Sequence, residues 1–114
     1  MKFILFKNEK YADELGRKIG AIVRKSELEI RTVSPRDDDV FIIDAHYGNN
    51  MNDLHGIKIA EDIRNYCVRR NLNIQIKILS WFKENSEIIQ KNYNHLSGKE
   101  NIEFIQLPIS NFST

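Results

Sequence analysis

Asp37-Asp38-Asp39-Val40-Phe41-Ile42-Ile43-Asp44 is the stretch on which the fold turns. Four consecutive apolar residues, three of them β-branched, sit between acids on both sides, the pattern of a strand buried on both faces. A polar, glycine-containing segment from His46 to Gly56 follows, and a helical pattern starts at Ile57. In an open α/β sheet, ligands and chemistry collect just outside the carboxyl ends of the strands, which is where Asp44 falls. An aspartate after a strand also serves simply as a turn former or helix cap, bonding nearby amides. Its weight therefore depends on the rest of the chain.

Working outward, Phe3-Ile4-Leu5-Phe6 reads as a buried first strand, ended by Lys7-Asn8-Glu9-Lys10. Ala12, Leu15, Ile19 and Ile22 recur at helical spacing with Lys and Arg between them. Leu28, Ile30 and Val33 suggest a short strand, broken by Ser34-Pro35-Arg36. A helix is expected over roughly Ile57 to Arg70, with Ile59, Ala60, Ile63, Tyr66 and Cys67 on one face. Ile74 to Leu79 forms a strand ending at Ser80, a weaker helix runs from about Asn85 to His95, and Ile102 to Leu107 is the last strand. The order is β-α-β-β-α-β-α-β, which argues for a mostly parallel sheet covered by helices, with right-handed crossovers. Pro35 to Asp39 is too short a link for a crossover helix between the second and third strands. That pair is expected either as a hairpin or as parallel strands joined by an extended loop.

These residues resemble the receiver domain of bacterial two-component response regulators. The resemblance rests on Asp37 to Asp44, which matches a third strand ending in the phosphoacceptor aspartate, and on Met51-Asn52-Asp53-Leu54-His55-Gly56 leading into Ile57 to Arg64. Ile76-Lys77-Ile78-Leu79-Ser80 looks like the fourth strand with its Ser/Thr switch residue, and Phe104-Ile105-Gln106-Leu107-Pro108 like the fifth. The resemblance implies a flavodoxin-like α/β fold with five mostly parallel strands in the order 2-1-3-4-5, the second and fifth helices being short or missing. It also implies that Asp44 is the phosphoacceptor equivalent and Ser80 the switch equivalent.

The departures bear on chemistry. Receivers place an acidic pair directly after the first strand to hold Mg²⁺, and here those positions offer Lys7, Asn8 and, slightly later, Glu9. Mg²⁺ demands carboxylate oxygens, and an ammonium group repels it. The lysine that pairs with the phosphoryl group in the family is replaced by Leu107, which removes a charge partner. Without these charges, stabilisation of phosphoryl transfer is lost. The expectation is a pseudo-receiver that binds proteins and uses no cofactor. Two rivals stand beside it: a phosphorylatable receiver using Asp44 with Mg²⁺ and Glu9 as a residual ligand, and a small metal-dependent hydrolase.

The hydrolase reading rests on Asp44-Ala45-His46 and Asp53-Leu54-His55, two Asp-x-His units around one loop, because imidazole and carboxylate together bind Zn²⁺ or Mn²⁺. Glu9 would complete the set. Against it, both histidines read equally as polar loop residues and Asp53 as a helix N-cap. There is no Gly-x-Ser-x-Gly elbow, no phosphate-binding Gly-x-x-x-x-Gly-Lys and no Cys-x-x-Cys pair. Gly16 and Gly20 stand four apart in a charged helix, which argues for close packing of that helix. Trp81 and Phe82 follow Ser80 at a strand end beside the Asp44 crevice. With His46 and Tyr47, they are the candidate partner-binding residues.

The 114 residues suit a single domain, 1-114, with a modest core. A net charge of +1 gives no field that argues for nucleic acid. The lone cysteine, Cys67, reads as a core residue and suits a reducing cytoplasm. The N-terminal apolar run of four residues is far short of a signal peptide or membrane span. The tail from Pro108 to Thr114 reads as the start of a linker, fitting the N-terminal part of a longer protein. The expected partner is a protein or a second copy of the chain.

Overall fold

The computed structural model describes residues 1–24, 34–48, 53–96 and 98–107. In chain order they form β1 (Lys2–Leu5), α1 (Glu9–Ile19), β2 (Ile22–Arg24), β3 (Val40–Asp44), α2 (His55–Arg69), β4 (Gln75–Ser80), α3 (Glu87–Tyr93), a 3-10 turn (Asn94–Leu96) and β5 (Ile102–Gln106). The strands make one sheet in the order β2-β1-β3-β4-β5. Every neighbouring pair is parallel.

The two uninterrupted apolar runs become the central strands because only positions covered on both faces can keep both sets of side chains from water. Phe3, Leu5, Phe41, Ile43, Ile76 and Ile78 face one layer, packing with Ile57, Ala60, Ile63 and Cys67 of α2 and with Ile89 and Tyr93 of α3. Ile4, Ile42 and Leu79 face the other, against Ala12 and Leu15 of α1. Cys67 lies in the core, as its place in the helical pattern suggests.

The edge beside β1 differs from the sequence reading. The first helix does not reach Ile22: it stops at Ile19, and Gly20 caps it at φ 70, its N–H bonded to the Gly16 carbonyl. A left-handed cap costs glycine little, so Gly20 is the stop signal, and the Ile19–Ile22 spacing only mimics another helical turn. Ile22 instead pairs with Phe3 in β2. The hairpin alternative fails with this reassignment, because β2 and β3 lie on opposite sides of β1. Residues 25–39 join them, a length that permits a crossover. The strand expected at Leu28, Ile30 and Val33 and the segment after Pro108 lie outside the described residues, while residues 34–39, where the second helix is expected to be short or missing, carry no helix. Gly16 serves close packing, since a Cβ there would meet Val23 Cγ2 at 2.8 Å.

Asp53 is not the cap of α2: that position belongs to Leu54, at φ 49, without a side-chain cap bond. What joins α2 to the end of β3 is Gly56, whose N–H donates to the Ala45 carbonyl at 3.2 Å. A Cβ on Gly56 would stand 1.7 Å from the Asp44 carbonyl oxygen, which is backbone and cannot swing away. Gly56→Ala is therefore expected to destabilise the domain by about 3 kcal/mol or more, at or beyond the upper range of overpacking. Gly20→Ala meets open space and carries only the left-handed backbone penalty, about 1–2 kcal/mol. Urea unfolding of the two variants checks the order.

Candidate functional site

β3 runs one residue past its pairing with β1, so Asp44 stands at the carboxyl end of the sheet, opposite Leu79 of β4. The Asp44 side chain is buried, at 3% exposure. Its Oδ2 accepts from the Lys7 amide at 3.1 Å and its Oδ1 from the His46 amide at 2.8 Å. Burial raises the pKa of Asp44 above the ordinary aspartate value, and the two amide bonds oppose that rise. Asp44 thus sits at the switch point between β1 and β3 with both oxygens already engaged by backbone.

His46 is also buried, at 5% exposure, so it is not an open contact residue. Its Nε2 lies 2.9 Å from Ser80 Oγ and accepts from the Trp81 amide at 3.0 Å. An amide only donates, so Nε2 carries the lone pair and Nδ1 the hydrogen. Ser80 Oγ accepts in turn from the Phe82 amide at 3.0 Å. The Phe82 ring meets the imidazole edge-on, centroids 4.9 Å apart. Ser80 is fully buried, and its hydroxyl is directed to His46 rather than left to meet a ligand.

The aromatic pair is split. Trp81 is 45% exposed, whereas Phe82 and Tyr47 pack partly against the larger core cluster. Trp81 and Asp44 share a cleft of about 400 Å³ with Phe6, Lys7, Asn8 and His46. A second cleft, about 630 Å³, adjoins it and carries Glu9, Asp53 and His55 on its walls, with Lys7 common to both. Lys7 Nζ donates to the Gly48 carbonyl.

The two Asp-x-His units therefore have different fates: Asp44 and His46 line one cleft, Asp53 and His55 the other. Among the described residues no three His, Cys, Asp or Glu side chains gather closely enough to hold a metal ion. Among the described residues the lining does not fit Mg²⁺ at Asp44: it includes no second carboxylate and does include a lysine. Asn8 uses its side chain to cap α1, accepting from the Tyr11 amide at 3.0 Å. Leu107 is 3% exposed and packs with Ile4, Phe6, Ile42 and Leu79 in the apolar layer.

Sequence reasoning placed Asp44 and Ser80 on neighbouring strand ends but missed the bond from His46 to Ser80. The bond follows from the β3–β4 register, which sets Asp44 opposite Leu79 and brings the loop after Asp44 beside Ser80, and no local sequence pattern carries it.

No family model matches the chain, and no curated protein matches it. Among solved structures, a response regulator from Colwellia psychrerythraea is similar, with a TM-score of 0.65 and 16% sequence identity over 96% of this chain and 85% of the other. The likeness establishes a receiver-type fold. Among the described residues no helix is long and apolar enough to cross a membrane.

The raised Asp44 pKa has a signed consequence for stability. A carboxyl group whose folded pKa lies above its unfolded value favours the folded state at pH below the unfolded pKa, about 3.9, and that contribution is lost as pH rises through the folded value. The unfolding free energy of the wild type minus that of Asp44→Asn is therefore expected to fall as pH is raised from the ordinary aspartate range, then level off. Paired denaturant titrations across acid pH measure it, and a difference that grows with pH would contradict it.

Proposed function

We propose that this domain is a receiver-like signalling module that acts by binding a protein, a partner or a second copy of itself, and has given up phosphotransfer. The observation that carries the reading is the state of Ser80. Its hydroxyl is bonded to the buried imidazole of His46, so the group that the resemblance assigns as a switch is already engaged. Lys7 in the Asp44 cleft and Leu107 in the apolar layer support the same reading, because the cleft offers an ammonium where Mg²⁺ needs carboxylates and the position that the resemblance gives to the phosphoryl-pairing lysine is hydrocarbon. The separation of Asp44 and His46 from Asp53 and His55 disfavours the hydrolase.

The binding surface in this proposal is the rim around Trp81. Aromatic side chains supply much of the energy at interface hot spots, and this one is partly exposed at the carboxyl end of the sheet. His46 holds the Trp81 amide and meets the Phe82 ring, while Phe82 and Tyr47 pack partly against the core.

Incubation with a small acyl-phosphate donor and millimolar Mg²⁺ is expected to leave the intact mass unchanged. A single added phosphoryl group that disappears in Asp44→Ala would overturn the loss of phosphotransfer and favour the phosphorylatable receiver. Trp81→Ala is expected to weaken association by about 2 kcal/mol, read by sedimentation for the homodimer or by pull-down with a candidate partner. Its circular dichroism should be that of the wild type, since the side chain is not a core residue.

A further inference from the structure

We infer that His46 is a positioning residue: its imidazole is a latch that fixes the segment Ser80-Trp81-Phe82 and thereby holds the Trp81 indole at the rim of the Asp44 cleft. The latch deepens the proposed function and rests on it only for the statement that Trp81 is a contact residue.

The geometry is unusual for a loop histidine. One nitrogen takes the hydroxyl of Ser80 and the amide of Trp81, while the same hydroxyl oxygen takes the amide of Phe82. Three consecutive residues at the end of β4 are thus tied to one side chain from the loop after β3. Beyond Ser80 the sheet no longer supplies partners for both amides, and a buried amide without a partner costs on the order of 1–3 kcal/mol. His46 removes that cost at Trp81 directly and at Phe82 through Ser80. The Phe82 ring, nearly perpendicular to the imidazole, closes the arrangement. His46 is itself placed from the other side, because its own amide is held by the Asp44 carboxylate. A chain of bonds therefore runs from Asp44 through His46 to Trp81, with both inward-facing amides satisfied and the indole left at the cleft wall, 45% exposed. In this arrangement the rim has one conformation, set by an internal acceptor instead of a bound ligand.

Amide hydrogen exchange by NMR tests the latch without any partner. In His46→Ala the Trp81 and Phe82 amides should exchange about fivefold faster or more, while the Ile42 amide in the sheet centre keeps its protection. His46→Gln places a carbonyl oxygen near the lost Nε2 and should restore Trp81 protection. His46→Asn is too short and should not. Ser80→Ala should free the Phe82 amide while the Trp81 amide stays protected. Trp81 is the only tryptophan in the chain, so faster acrylamide quenching of its fluorescence in His46→Ala gives a second readout.

If Trp81 exchange stays unchanged in His46→Ala, or if protection falls equally at Ile42, the latch is overturned. Should His46→Ala fail to fold, the contrast between His46→Gln and His46→Asn decides: equal Trp81 protection in the two overturns it. Exchange that follows the expected pattern while Trp81→Ala leaves association intact would keep the latch and remove the partner reading.

Discussion

A carboxylate buried at the end of a central parallel strand must be given hydrogen bonds by its surroundings, and the surroundings of Asp44 are built to supply them. Burying an ionisable group without partners is far costlier than any single packing contact contributes. β1 therefore ends where the Lys7 amide can reach Oδ2, and the chain turns after β3 so that the His46 amide reaches Oδ1. Both requirements fix the first residues of the loops that line the cleft. The glycine at Gly56 follows from the same constraint, since α2 must start against the Asp44 carbonyl to bring its apolar face onto the sheet.

Once His46 is turned inward by this bond, its imidazole lies beside the end of β4 and takes the Ser80 hydroxyl and the Trp81 amide. The site is consequently self-contained. Backbone amides engage Asp44, His46 engages Ser80, and Lys7 reaches the Gly48 carbonyl. The crevice at the switch point is internally bonded, with the partly exposed Trp81 at its edge.

Much of the architecture was readable in the chain because its decisive signals are continuous. The runs Phe3–Phe6 and Val40–Ile43 admit no exposed face, which requires central strands, and the place of Asp44 follows from where the second run ends. β2 was misread because three residues at a sheet edge carry too little pattern to compete with the helical spacing of Ile19 and Ile22, and the stop at Gly20 was the only local cue. His46 was legible as a residue near Asp44 but not as a buried one. Its burial comes from cross-strand register, a relation between residues 34 apart that periodicity does not contain. Likewise, Trp81 and Phe82 are neighbours with opposite fates, and composition alone treats them alike.

The most direct measurement of the central claim, that the Asp44 site is closed by the protein's own groups, is a Mg²⁺ titration followed through the backbone amides of Lys7 and His46 by NMR. Both resonances are expected to hold their positions into the millimolar range, because the described lining of the cleft carries one carboxylate and an ammonium group. A saturable shift of both amides, abolished in Asp44→Asn, would contradict it and show that the site still takes the metal.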